Sequence, residues 1–428
     1  MVRPANTDPQ DAPQKSPGMT NALPRKNFLF LQGPISPFFH RLGMLLRGRG
    51  HGVHRINLCR GDTLFWPEPA IDFTGRSAAW PGFIQAFLAR HAITDLVLLG
   101  EQRPYHRIAI TAAHALGIAV TVTDFGYIRP DWIILERDGM NRDSRFPKDP
   151  AAIMALAEGL PPVDAEKRYL DDFAQQARWD MRFHLANLLP GRFRRFETFL
   201  LHHPVPAYIG TGITLLRRGA ETRAAEALLA ALPPEAPRWI FAMQMETDYS
   251  IRAYSPYPDM DTPIEEAVAS FARAAPGDGH LLVKVHPLDP ALKNWRRRVQ
   301  HVAARHGVAQ RVHYLGAGDL DGMLHRSLGV VTVNSTVGIR ALQLGRSLHA
   351  MGDAIYRVEG LTHSGELDGF WHAPPPDPAL TEAFLRAIAA HLHVRGVYYR
   401  EPGLTAAVAA AAARLEAGRV GEADRPGA

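Results

Sequence analysis

The sequence predicts an α/β chain made of two doubly wound lobes facing a central cleft. Three observations carry this expectation. Short apolar strand runs alternate with helix-period segments in two separate blocks. A mostly helical stretch divides the blocks, and 428 residues exceed what one hydrophobic core usually supports.

The first block opens with Phe28-Leu29-Phe30-Leu31, an apolar run suited to a strand buried on both faces, and Gln32-Gly33-Pro34 breaks it. Helical spacing follows over Phe38–Arg47. Gly50-His51-Gly52 punctuates before a strand over Val53–Leu58. Another strand over Ile93–Leu99 ends at Gly100. A helix over Tyr105–Leu116 stops at Gly117 and leads into a strand over Ile118–Val122. Residues 140–235 carry few strand signals. Alternation resumes with strands at Trp239–Met243, Leu281–Val285, Val312–Leu315 and Val330–Val333, a helix over Val337–Leu344 and a strand over Ser347–Met351. Pro378–Gly418 is rich in alanine and leucine helix formers. The expected organisation is a disordered tail over 1–26, a first lobe over 27–235 with a helical insertion, and a second lobe over 236–375. Helices over 376–428 then pack back across the lobes and fray after Glu422.

Composition narrows the class. Hydrophobic residues at 46% and charged residues at 21% exclude global disorder. Cys59 is the lone cysteine, so no disulfide and no cysteine-based zinc site is expected, which suits a reducing cytosol. The first 26 residues are polar and proline-rich, without the apolar core of a signal peptide. No stretch reaches the ~20 apolar residues that span a bilayer. A net charge of +5 fits phosphorylated substrates or anionic lipid, or simply an arginine-rich composition. Zinc-knuckle, RNA-reading and helix-turn-helix patterns are missing, so nucleic acid is not an expected partner.

Ligands of doubly wound sheets bind beyond the carboxyl ends of the strands, so the residues there are the candidates. Asn334-Ser335-Thr336 follows one strand and precedes a helix, where hydroxyls and free N–H groups can bind an anion or act as a plain cap. Lys284, His286 and Pro287 end another strand, and the two cations can hold a phosphate. Gln244 to Ser250 follows the first strand of the second lobe and contains Asp248, a possible nucleophile or helix cap, with Glu246 as a competing acid. In the first lobe, Asp124, Tyr127 and Arg129 follow one strand. Glu101, Arg103 and His106 follow its neighbour.

The order of these motifs resembles the capsule polysaccharide biosynthesis family, within it the KpsS/LipB branch. The likeness runs from Leu31-Gln32-Gly33-Pro34 through Arg55-Ile56-Asn57-Leu58, Gly61-Asp62 and Arg103-Pro104-Tyr105-His106 to Gly126-Tyr127-Ile128-Arg129-Pro130-Asp131-Trp132. It implies a GT-B-like fold of two Rossmann-like lobes, and transfer of β-Kdo from CMP-β-Kdo with retained configuration. Gln244, Asp248 and Ser250 match the family's glutamine-three-residues-aspartate-X-serine pattern, whose aspartate is the nucleophile. His286 and Pro287 match its His-Pro element for the CMP moiety, and Ser335 and Thr336 its serine turn. Asp124 falls on the first acid of an acid-acid-glycine-aromatic motif, with Phe125 in place of the second. The resemblance also implies a lysophosphatidylglycerol-type acceptor at the inner face of the cytoplasmic membrane, and other capsule synthesis and export proteins as partners. No cofactor or metal is expected. Asp124 is the expected acceptor base, with Glu101 as the competing choice, and Arg129 the partner of the Kdo carboxylate.

Gly191 to Leu201 interleaves arginines with large apolar residues, as interfacial helices do, and Leu215-Leu216-Arg217-Arg218 extends the pattern. The plain alternative puts Phe193, Phe196 and Leu200 in the core. Two rival functions fit the same sequence: a transferase for another CMP- or UDP-sugar, and a non-catalytic component of capsule export.

Overall fold

The computed structural model describes residues 24–198 and 200–422, so most of the expected tail, Phe199 and the end after Glu422 lie outside the described residues. Lys26, expected in the tail, is already tied to the fold. Its N–H donates to His51 Nδ1 at 3.2 Å, and its ammonium reaches the Leu415 carbonyl at 2.6 Å.

The first lobe contains β1 (Asn27–Phe30), β2 (Gly52–Asn57), β3 (Ile71–Asp72), β4 (Asp95–Leu99), β5 (Ala119–Phe125) and β6 (Trp132–Arg137). The second contains β7 (Arg238–Ala242), β8 (His280–Lys284), β9 (Val312–Leu315), β10 (Gly329–Thr332) and β11 (Ser347–Ala350). A last strand, β12 (His393–Arg395), returns to the first sheet, whose order is β12-β6-β5-β4-β1-β2-β3; the second sheet runs β11-β10-β7-β8-β9. The second sheet is parallel throughout, and β1 to β5 are parallel in the first. The structure is therefore α/β, with two doubly wound lobes. In each sheet the chain builds outward from its first strand in both directions. The order reverses between β1 and β4 and again between β7 and β10, which leaves a crevice beyond the carboxyl ends at each point.

Three strands were not foreseen: the two-residue β3, β6 and β12. β6 runs antiparallel to β5, and β12 pairs antiparallel with β6. Pro130 just before β6 reads as a loop signal, and three residues of β12 are too few for any periodicity. β12 also divides the helical run expected over Pro378–Gly418 into Pro378–Leu392 and Gly403–Ala417. The first of these packs on Pro150–Ala157 and the second on Phe38–Gly48. Helices Phe173–Leu188 and Pro204–Ala231 form the insertion between the lobes. Among the described residues, no helix is long and apolar enough to cross a membrane.

One buried acid locks the returning strand. Asp131, 0% exposed, accepts from Arg395 Nη1 at 2.5 Å and from the N–H groups of Arg168 and Tyr169 at 2.8 and 3.0 Å. Removing it leaves the half-buried Arg395 guanidinium with Asp164 alone as countercharge, and strips two backbone N–H groups of their acceptor. Asp131→Ala should destabilise the chain by ~3–5 kcal/mol in equilibrium denaturation, whereas an ordinary surface carboxylate would cost less than ~0.5 kcal/mol.

Candidate active site

The strand ends of both lobes meet around one cavity of about 500 Å³. The first lobe contributes Glu101, Arg103, Asp124, Tyr127 and Arg129; the second contributes Gln244, Asp248, Ser250, His286, Asn334, Ser335 and Thr336. Twelve of the sixteen strand-end candidates named from the sequence thus line the same space. Lys284, Pro287, His106 and Glu246 do not.

Asp248 stands on a short polar brace. Gln244 Nε2 donates to Asn334 Oδ1 at 2.8 Å, and Asn334 N–H donates back to Gln244 Oε1 at 3.0 Å. Asn334 Nδ2 donates to the Ser250 carbonyl at 3.0 Å, and Ser250 Oγ donates to Asn334 Oδ1 at 3.3 Å. The loop after β7, the helix Tyr249–Tyr254 and the loop after β10 are joined across the reversal point. Gln244, Ser250 and Asn334 therefore act first as positioning groups, which explains the spacing around Asp248. The Asp248 carboxylate accepts from Ser250 N–H at 2.9 Å, so it caps that helix and lines the cavity at once. Glu246, the competing acid, points elsewhere. It pairs with Lys293 and accepts from Met260 N–H at 3.3 Å, beside Asp261.

The opposite wall is acidic and cationic together. Burial raises the Asp124 carboxyl above the usual range, the Phe125 N–H (2.7 Å) and Arg129 oppose that rise, and the Asp248 charge adds to it. The Arg129 guanidinium lies 5.1 Å from the Phe125 ring centroid. Phe125, standing where a second acid is usual, thus gives Arg129 a cation–π partner. The turn carrying these groups is held from behind by the chain's C-terminal part. Tyr398 OH donates to the Asp124 carbonyl at 3.0 Å, and Tyr127 N–H donates to His393 Nε2 at 2.9 Å. Gly126 is needed in that turn because a Cβ there would meet the Trp132 carbonyl at 2.5 Å.

Glu101 is 3% exposed, and neither carboxyl oxygen has a hydrogen-bond partner among the described residues. Burial, with Asp124 and Glu136 nearby, pushes it up to about 8. At neutral pH it holds a proton, which disfavours it as the acceptor base there. His286 Nδ1 accepts from Leu288 N–H at 3.2 Å, so the neutral ring carries its hydrogen on Nε2. Burial lowers His286, and the Asp248 charge works against that. Ser335 Oγ accepts from Val337 N–H at 3.2 Å, whereas the Thr336 side chain makes no cap.

Three expected contacts are corrected. The Lys284 ammonium turns back to the Val285 carbonyl at 2.9 Å inside the second lobe, where burial lowers it to about 8. Pro287 only shapes the turn closed by Asp289 N–H on the His286 carbonyl at 3.0 Å. His106 is fully buried below the cleft, with Nδ1 2.8 Å from the Gly100 carbonyl, and burial lowers it to about 3. Tyr127 lines the cavity, but its hydroxyl is engaged, accepting from Asn141 N–H at 3.2 Å. One useful group was missed. Gln102 Nε2 donates to Asp143 at 2.5 Å and to Tyr254 OH at 3.3 Å, tying the lobes together. Its place inside the Glu101–His106 run was the available signal.

With this geometry in hand, residues 94–399 match the family model described as capsule polysaccharide biosynthesis protein, a span that holds every residue just described as lining the cavity. The chain belongs to that family. It is 28% identical over 388 residues to the capsule polysaccharide export protein KpsS of Escherichia coli, covering 89% of this chain and 99% of the relative. It is 29% identical over 395 residues to the capsule polysaccharide modification protein LipB of Neisseria meningitidis serogroup A, covering 88% and 92%. Superposition on KpsC of Thermosulfurimonas dismutans, a β-Kdo 2,7 transferase, covers 91% of this chain and 100% of that one, with a TM-score of 0.45 and 12% identity.

Glu101 carries a pH signature. A carboxyl at about 8 when folded, against an ordinary 4.5, contributes stability that is complete below pH 4.5 and lost as pH rises through 8. Glu101→Gln should therefore raise the thermal midpoint relative to wild type at pH 9, and clearly less at pH 5. Each unit of displacement is worth at most ~1.4 kcal/mol.

Proposed function

We propose that the chain is a retaining glycosyltransferase that moves β-Kdo from CMP-β-Kdo to a lysophosphatidylglycerol-type lipid, beginning a capsule linker. The observation that carries this reading is one cavity shared by Asp248, His286 and Ser335 on one lobe and by Asp124 and Arg129 on the other. The motif resemblance supplies the sugar and the lipid, and family membership supplies the capsule context.

In the first step an Asp248 oxygen bonds to the anomeric carbon while the bond to the CMP phosphate oxygen breaks and its electron pair leaves with CMP. That leaving group needs hydrogen-bond donors more than a proton. His286 Nε2–H and the Ser335 and Thr336 hydroxyls supply them. Arg129 pairs with the Kdo carboxylate. In the second step the acceptor hydroxyl attacks the same carbon from the opposite face, its proton passes to Asp124, and the Asp248 carboxylate is released with configuration retained. Glu101, protonated at neutral pH, keeps an additional negative charge away from Asp124. The reading assigns charge neutralisation to protein groups and needs no metal or cofactor. The encounter with the acceptor takes place at the anionic inner face of the cytoplasmic membrane, alongside other capsule synthesis and export proteins.

Transfer from CMP-β-Kdo to a lysolipid, followed by mass spectrometry of the lipid, tests this reading. Asp248→Asn should lower transfer by ~10³-fold or more, and Asp124→Asn by ~10²-fold or more. Arg129→Ala should raise the donor KM selectively. Full transfer by Asp248→Asn would remove the mechanism. Turnover of a different CMP- or UDP-sugar in preference to CMP-β-Kdo would reassign the donor. A chain inactive on every donor, with Asp248→Asn altering stability alone, would point to a non-catalytic role in capsule export.

A further inference from the structure

A second cavity, of about 440 Å³, opens beside the cleft. Its inner wall is formed by the loops after β1, β2 and β4, so it lies at the first lobe's own reversal point, the natural ligand position of such a sheet. Its outer wall is the helical insertion, through Phe183, Leu188, Phe193, Phe196 and Leu200. Arg103 lines both cavities, and its guanidinium interacts with Asp124 on the cleft side and Asp62 on the other.

The surroundings narrow the occupant. Thirteen of the nineteen exposed large apolar side chains among the described residues lie between Leu170 and Leu216, on the same insertion, with Leu189 at 70% and Leu216 at 87% exposure. Arg192, Arg194 and Arg195 are exposed within that stretch, while Phe193 is buried and Phe196 half-buried against the protein. The expected interfacial segment therefore divides. Phe193 and Phe196 wall the cavity with Arg194 and Leu200 at its edge, and Arg192, Arg195 and Leu201 face outward. A ligand suited to this place is apolar at one end, anionic at its neck where Arg103 stands, and hydroxyl-bearing beyond it. Free phosphate would leave the apolar walls unused.

We propose that this cavity takes the hydrocarbon chain of a single-chain anionic lipid, with Arg103 holding the phosphate so that the headgroup hydroxyl reaches the cleft. The proposal rests on the acceptor reading above and names the acceptor's binding site. The apolar volume sets chain-length preference, and Arg103 sets headgroup charge preference.

The test is binding of the full chain to 1-octanoyl, 1-decanoyl, 1-lauroyl and 1-myristoyl lysophosphatidylglycerol, each below its micelle concentration. Deacylated glycerophosphoglycerol and lauroyl lysophosphatidylcholine serve as comparison probes. Affinity should rise about fourfold per added methylene and then level off once the cavity is full. The deacylated headgroup should bind at least 100-fold more weakly than the lauroyl lipid. Leu188→Trp, with its unfolding midpoint measured alongside, should move the plateau to shorter chains. Arg103→Gln should erase the preference for the anionic over the zwitterionic headgroup. Affinity independent of chain length in the wild-type protein, or an unmoved plateau in a folded Leu188→Trp variant, would overturn the proposal. Donor consumption measured in parallel separates the two readings. Chain-dependent binding without CMP-β-Kdo consumption keeps the cavity and removes the transferase. Consumption with chain-independent binding does the reverse.

Discussion

The arrangement depends on the reciprocal pair of hydrogen bonds between Gln244 and Asn334. In a doubly wound sheet the two strands flanking the reversal diverge beyond their carboxyl ends, and nothing in the ladder itself fixes the loops that follow. Here one side-chain amide closes the crevice between β7 and β10 by donating and accepting at the same partner. Both residues are buried, so losing either would leave the other unsatisfied at a cost of ~1–3 kcal/mol. Asn334 then reaches Ser250 and so sets the start of the helix that Asp248 caps. A carboxylate on a free loop would sample many positions. This one is tied at both flanks while its own charge stays in the cavity.

The facing wall is fixed by a different device. The turn from Asp124 to Arg129 leaves β5 and must re-enter the sheet as β6, antiparallel, within a few residues. The C-terminal segment supplies its backing through His393, Arg395 and Tyr398, each of which binds the turn or the acid beside it. Residues about 270 positions away in the chain thus determine where Asp124 and Arg129 stand. The cleft is framed by local polar closure on one side and by long-range strand addition on the other. Gln102 and Tyr254 join the two sides directly.

Much of this was legible from residue order. Continuous apolar runs such as Leu281-Leu282-Val283 locate strands buried on both faces, and the parallel order then points to the loops after them. The less legible parts have physical reasons. Lys284 and His286 are two positions apart and would share a face in a longer strand. The ladder ends at Lys284, and a turn redirects His286 alone into the cleft. His106 carries a side chain suited to binding, but its helix packs it beneath Gly100. β12 is too short to have a pattern, and its role depends on a partner strand distant in sequence. The division of the 191–201 segment into wall and outer surface follows from the cavity beneath it, which no periodicity reveals.

The central claim is that Asp248 forms a bond to the sugar. The most direct measurement is peptide mass spectrometry of the wild-type chain, quenched in acid after brief exposure to CMP-β-Kdo without acceptor. The account predicts one Kdo residue on the peptide containing Asp248, removed when lysolipid is added before quenching and missing from Asp248→Asn. An unmodified Asp248 peptide throughout a reaction that still delivers Kdo to the lipid would contradict it.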